Sequence, residues 1–221
     1  MSDIIENFFN LQVLKASWPF LIRGLLNTFL LAVASVPLAA GLGLMVATLA
    51  ELNRGVVRWV LIVVVDFLRA FPPLVLLVLV YFGLPFIGVR LPNFWAAVVA
   101  LGLNGLAYYG EIFRSGIESV GSGQWQAGRA SGLSNLQIMR LIVLPQAIRN
   151  VIPPVATNTI ELIKNTSIAS IVTVPELLRS AEVAQGLHFN PTPLTFAALI
   201  YLVILWPLVR QLSRLERKIA F

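Results

Sequence analysis

The 221-residue sequence has no cysteine and a single histidine, His188. A disulfide framework, thiolate metal sites and any histidine-based catalytic or metal cluster are therefore excluded. Charge is scarce as well. Only 12% of the residues are Asp, Glu, Lys or Arg, about half the share of an ordinary soluble domain, while 58% are hydrophobic. A chain of this size cannot hide that much apolar surface inside one water-soluble globule, so its solvent is the bilayer. Strand alternation, low-complexity tracts and internal repeats are missing too. No lysine follows a glycine: Lys15, Lys164 and Lys218 follow Leu14, Ile163 and Arg217. Without a Gly-Lys pair there is no phosphate-gripping loop, so this chain is not itself an ATPase, and it is expected to carry no cofactor of its own.

What remains is apolar length. A helix crossing the hydrocarbon core needs about 20 mostly apolar residues, and five such runs stand between clusters of charge. They are Leu25 to Ala50, Trp59 to Leu84, Phe94 to Ile112, Val151 to Val174 and Leu194 to Val209. In the first, Ala39, Gly43 and Ala47 repeat at four residues, a small-residue stripe that lets another helix approach closely. The second is interrupted by Asp66, Arg69 and the Pro72-Pro73 pair. The expected fold is an all-α membrane protein with five transmembrane helices in one domain spanning residues 1–221, with residues 1–17 forming a short interfacial amphipathic helix.

The net charge of +6 is read as a topology signal rather than as an affinity for nucleic acid. One face collects Arg54, Arg58, Arg114, Arg129, Arg140, Arg149, Arg210, Arg214, Arg217 and Lys218; the other holds Lys15, Arg23, Arg90 and Arg179. Basic residues favour the cytoplasmic side, which places the amino terminus outside and the carboxyl terminus inside. The outer segment of residues 175–193 shows helical spacing of Leu177, Leu178, Ala181 and Ala184, a small helix over the outer mouth.

Between spans three and four lies a cytoplasmic loop, residues 115–149, too long for an ordinary connection. Its residues 122–134 read as a turn, a short helix of small side chains, a stop at Gly132, and Ser134 as the cap of a further helix. Such a helix presents a compact knob to a groove on a partner.

Here the sequence resembles the permease subunits of ATP-binding cassette importers, whose loop carries E-A-A, three variable residues, G, and later I and L-P. The matching residues are Gln126-Ala127-Gly128, Gly132, Ile142 and Leu144-Pro145. Gly123-Gln124, Leu144 to Arg149, Pro153-Pro154, Leu162 to Ile168, Arg69 to Tyr81 and Tyr108 to Val120 look like the polar amino acid uptake branch, the histidine permease type, over residues 17–218. The block departs from the pattern where Gln126 replaces its glutamate and Gly128 its second alanine. The resemblance implies a multi-pass subunit of the bacterial inner membrane whose loop is a coupling helix seated in a cassette ATPase. Gly123, Gln124, Gln126, Ala127, Gly128, Arg129, Ala130 and Gly132 would contact that ATPase. It further implies two ATPase subunits that bind ATP and Mg, a second permease, identical or paralogous, and an extracytoplasmic amino-acid-binding protein. Import of a related solute of the opine or ectoine type, an ATP-independent channel and a membrane scaffold are the alternatives.

Ionisable groups at helix depth cost about 2.5 to 3.5 kcal/mol each and need partners. Asp66 with Arg69, and Glu111 with Arg114, read as local ion pairs. Asn158, Glu161, Lys164 and Asn165 form a polar stripe on span four. Asn158, Glu161 and Lys164 are candidates for the translocation path, where Glu161 would accept a substrate ammonium and Lys164 a carboxylate; alternatively the two charges neutralise each other. Asn104 and Tyr108, four apart on span three, are further path candidates, although bonding to neighbouring backbone explains such residues as well.

Overall fold

The computed structural model describes residues 6–219, with side chains to residue 214. All regular structure in the described chain is helical, with no β-strand among the described residues. The helices are α1 (Leu11–Leu52), α2 (Val56–Ala70), α3 (Pro73–Val78), α4 (Asn93–Glu118), α5 (Ser122–Ala130), α6 (Asn135–Ile138), α7 (Leu144–Asn150), α8 (Ile152–Asn165), α9 (Leu177–His188) and α10 (Thr192–Ile219). Three of them, α1, α4 and α10, are long and apolar enough to cross a membrane, and the broken pair Val56–Ala70 with Pro73–Ile87 makes a fourth if counted as one span. The run expected as span four is divided, because the α-helix stops at Asn165 and a 3₁₀ stretch, Thr166–Val172, follows.

Two local departures have clear causes. The long helix starts at Leu11 and not after residue 17, because the Asn10 side chain accepts hydrogen bonds from the Gln12 N–H at 3.0 Å and the Val13 N–H at 3.2 Å, capping α1 there. Residues 11–17 thus belong to the long helix, and the part of the expected interfacial helix over residues 1–5 lies outside the described residues. Phe71 is extended, φ −80° and ψ 128°, as a residue before proline must be, and this ends α2.

The chain divides into two compact units. The first comprises Met1–Ala34, Pro73–Leu101 and Ile160–Phe221; the second comprises Ser35–Pro72 and Gly102–Thr159. In the first, Leu21 of α1, Leu177 and Ala181 of α9 and Ala197 of α10 form the core. Gly24 brings α1 against α9 so closely that a Cβ there would meet the Ser180 Oγ at 2.6 Å and the Glu176 carbonyl oxygen at 2.9 Å. In the second, Val65, Leu106 and Ala107 pack with Leu42 and Val46. A Cβ on Gly43 would sit 2.7 Å from the Gly110 nitrogen. The small-residue stripe therefore does what its spacing predicts: Ala39, Gly43 and Ala47 are all buried and allow near-backbone contact with α4. On the remaining faces of α1, Leu26, Phe29, Val33 and Met45 are more than half exposed, the surface expected to meet lipid.

Candidate functional site: the coupling helix and the polar stripe

Helix α5 is a single peg of nine residues held by three local devices. Gly128 is buried on Ile138, and a Cβ there would meet the Ile138 Cγ1 at 2.7 Å; a glycine in place of the pattern's alanine is what this isoleucine requires. At the end of the helix, the Leu133 N–H donates to the Gly128 carbonyl at 3.1 Å and the Gly132 N–H to the Arg129 carbonyl at 3.0 Å, with Gly132 at φ +78°. This paired-bond stop needs a left-handed residue, which glycine supplies without a Cβ penalty. Ser134 and Gln137 then form a reciprocal capping box that starts α6. The stop and the cap were both legible in the sequence.

With α5 anchored through Gly128, its small residues Gly123, Ala127 and Ala130 are exposed and share one helical face. Gly123 and Gln124 border a concavity of about 390 Å³ with Gln146 and Arg149. Gln126 and Arg129 line another of about 290 Å³ on a different flank. The sequence-predicted block is thereby brought together as one exposed feature, except Gly128, whose place is structural.

The path candidates are less concentrated. Glu161 and Lys164 form an ion pair on α8, with side chains 54% and 45% exposed. Asn158 on the same helix buries its Nδ2 without a hydrogen-bond partner in the protein. On α4, Asn104 is buried and donates to the Phe71 carbonyl at 3.4 Å, serving the break between α2 and α3. Tyr108 is 38% exposed, and the Arg69 guanidinium lies 5.9 Å from its ring centroid, within cation–π reach.

Arg69 also belongs to a ladder of alternating charge in the second unit. Glu51 pairs with Arg58 at 3.5 Å, Arg58 with Glu118 at 4.0 Å, Glu118 with Arg114, Arg114 with Glu111, Glu111 with Arg69 at 3.9 Å, and Arg69 with Asp66 at 4.0 Å. The two expected local pairs are present, and the structure joins them into one run. The sequence does not reveal the buried carboxylate of Glu176 in the first unit, fully shielded from solvent. It caps α9, accepting from the Arg179 N–H at 2.7 Å, the Leu178 N–H at 2.9 Å and the Tyr201 hydroxyl at 3.0 Å. Burial pushes its carboxyl up, those three donors pull it down, and the charge of Glu182 adds to the rise. Its only sequence signal is a glutamate directly after Pro175 at the start of a helical spacing.

Among the described residues all regular structure is helical, with several helices long and apolar enough to cross a membrane and a short exposed helix between two of them. Over residues 39–221 the sequence matches the family described as binding-protein-dependent transport system inner membrane component, and the chain belongs to that family. It is similar to the "Probable amino-acid ABC transporter permease protein YckA" of Bacillus subtilis (strain 168), 39% identical over 90% of this chain and 88% of that protein. It is also 37% identical to the "Probable glutamine ABC transporter permease protein GlnP" of the same organism, over 89% and 92% of the two chains. Among solved structures it matches an amino acid ABC transporter crystallised with histidines, with TM-score 0.80 and 32% identity over 90% of this chain and 94% of that one. The chain is thus a transporter subunit of the inner membrane and not an enzyme; the family implies an ATPase and a substrate-binding protein as partners.

Proposed function

We propose that this chain is the permease subunit of an ATP-driven importer that carries a polar amino acid inward by alternating access. One observation carries the reading: α5 exposes a face of Gly123, Ala127 and Ala130 while Gly128 locks its back, a shape suited to seating in a cleft of an ATPase and passing on its motion. In this reading residues 1–221 form one permease domain of five spans. The pair Val56–Ala70 and Pro73–Ile87 is the second, and Ile152–Val172 the fourth. The amino terminus lies outside and the carboxyl terminus in the cytoplasm, on the strength of the arginine distribution. The assembly contains two ATPase subunits, a second permease, identical or paralogous, and an extracytoplasmic amino-acid-binding protein. The stripe of Asn158, Glu161 and Lys164 lines the path, joined by Tyr108 and Asn104. Glu161 accepts hydrogen bonds from the substrate ammonium and Lys164 donates to its carboxylate, both charge-assisted.

Ala127→Trp tests the docking. The bulky ring on the exposed face should abolish copurification of the ATPase and ATP-dependent uptake while the permease still inserts and folds. Retention of both would refute the coupling role. For the path, uptake by Glu161→Gln and Lys164→Met variants in assembled transporters should lose affinity or rate; unchanged kinetics in both would discard it.

A further inference from the structure

The flank of α5 turned toward the α1–α2 connection has a different chemistry from its small-residue face. Ser122, Trp125, Gln126 and Arg129 recur three, four and seven residues apart and so share one side of the helix. This side is about a third of a turn from the face of Gly123, Ala127 and Ala130. It closes the 290 Å³ concavity together with Glu51, Arg54 and Arg58. Three guanidinium groups thus meet one carboxylate. Arg58 is engaged with Glu51 at 3.5 Å and Glu118 at 4.0 Å, whereas Arg54 and Arg129 take part in no ion pair among the described residues. Two uncommitted guanidiniums converging on one hollow, with the Gln126 amide beside them, suit the oxygens of a phosphate group.

The surroundings say what the phosphate is attached to. Immediately after Arg54, the first turn of α2 turns outward Val56, 75% exposed, and Trp59, 65% exposed, with Val57 and Val60 also exposed. A free inorganic anion gains nothing from that surface, but a molecule with an anionic head and acyl chains covers both parts. Tryptophan at such a boundary is the ordinary marker of the membrane interface. Basic pockets at the cytoplasmic ends of spans meet the leaflet in which anionic lipid is concentrated.

We infer that this hollow is a binding site for the headgroup of an anionic phospholipid, with Arg54 and Arg129 on its phosphate and the acyl chains along Val56, Trp59 and Val60. The inference rests on the cytoplasmic placement of the loop proposed above. The lipid would brace the flank of the coupling helix beside its docking face.

The test uses the assembled transporter purified with its ATPase and supplied with phosphatidylglycerol or phosphatidylcholine, the retained lipid being counted by native mass spectrometry. Wild-type protein should keep phosphatidylglycerol in preference to phosphatidylcholine. Arg54→Gln should lower that retention about five-fold, the weight of one basic residue at an anionic surface, with ATPase copurification unchanged. Arg129→Gln should lower it as well. Equal retention of both lipids, or no change in Arg54→Gln, overturns the site. Displacement of the lipid by millimolar inorganic phosphate assigns the hollow to the free anion and overturns the lipid proposal. Because the chain has no cysteine, Gly121→Cys, in open space, reports the topology separately. Labelling by an impermeant thiol reagent from the external face would overturn the cytoplasmic reading whatever the lipid counts.

Discussion

The two units handle charge in opposite ways. The first buries a lone carboxylate, Glu176, and surrounds it with neutral donors; the second strings seven charges of alternating sign from Glu51 to Asp66 at partial exposure. A buried anion cannot borrow water, so each of its donors matters. Partly exposed ions share their attraction with solvent, and each pair contributes little. Stability should therefore hinge on one residue in the first unit and be spread over many in the second.

The sharpest break in that contrast is Glu176→Ala, which strands two backbone N–H groups and takes one of its partners from the Tyr201 hydroxyl. At about 1–3 kcal/mol for each buried unsatisfied group, the loss should reach about 4 kcal/mol in denaturation of the purified protein. The sign of the pH dependence follows from burial. A carboxyl raised in the folded state binds protons more tightly there than in the unfolded chain. Its contribution is full below the ordinary value of 4.5 and is lost as pH rises through the folded value. Stability measured upward from pH 4.5 should fall in the wild type and fall less in Glu176→Gln; identical slopes would remove Glu176 from the account.

Smaller effects are expected where both units use the same device. Gly24→Ala and Gly43→Ala each force a Cβ to within 3 Å of a neighbouring helix and should cost about 1–3 kcal/mol by overpacking. Gly41→Ala, with nothing within 4 Å, should be neutral or stabilising by up to about 1 kcal/mol. Thermal unfolding of the three variants compares them directly; an equal loss at Gly41 would show that helix α1 resists any added methyl.

The least sensitive site should be the ladder. Arg114→Ala removes the centre of the ladder, yet with side chains about a third exposed it should cost about 1 kcal/mol. Lys164→Met leaves Glu161 without its partner on α8, so a loss of uptake is read as a transport effect only where the variant transporter assembles at the wild-type level. A loss at Arg114 matching that at Glu176 would erase the distinction between the units.

What the sequence disclosed follows the range of the interactions. The peg of residues 122–130, the stop at Gly132 and the cap at Ser134 rest on bonds spanning at most five residues, and all three were legible. The seam of Ala39, Gly43 and Ala47 was legible as well, since it depends on residue size and period alone. The burial of Glu176 was not, because its environment includes Thr28, whose hydroxyl accepts from the Leu177 N–H across 149 positions, and Tyr201, 25 positions away. Likewise Asn104 takes its partner from a carbonyl freed by a proline break 33 residues earlier. The early end of α8 falls on the polar run Lys164-Asn165-Thr166-Ser167, where the Thr166 and Ser167 hydroxyls donate to the Ile163 and Lys164 carbonyls at 2.7 and 2.9 Å, a local competition with the helix ladder.

Helix α1 has one more consequence. Between Arg23 and Glu51 no charged side chain interrupts it, a rod about 40 Å long at 1.5 Å per residue against a hydrocarbon layer about 30 Å thick. Such a rod fits by leaning, by bending or by swelling the layer around it. Membrane thickness thus bears on its posture, a thicker sheet favouring the upright rod and a thinner one a lean, within what its packing against neighbouring helices allows.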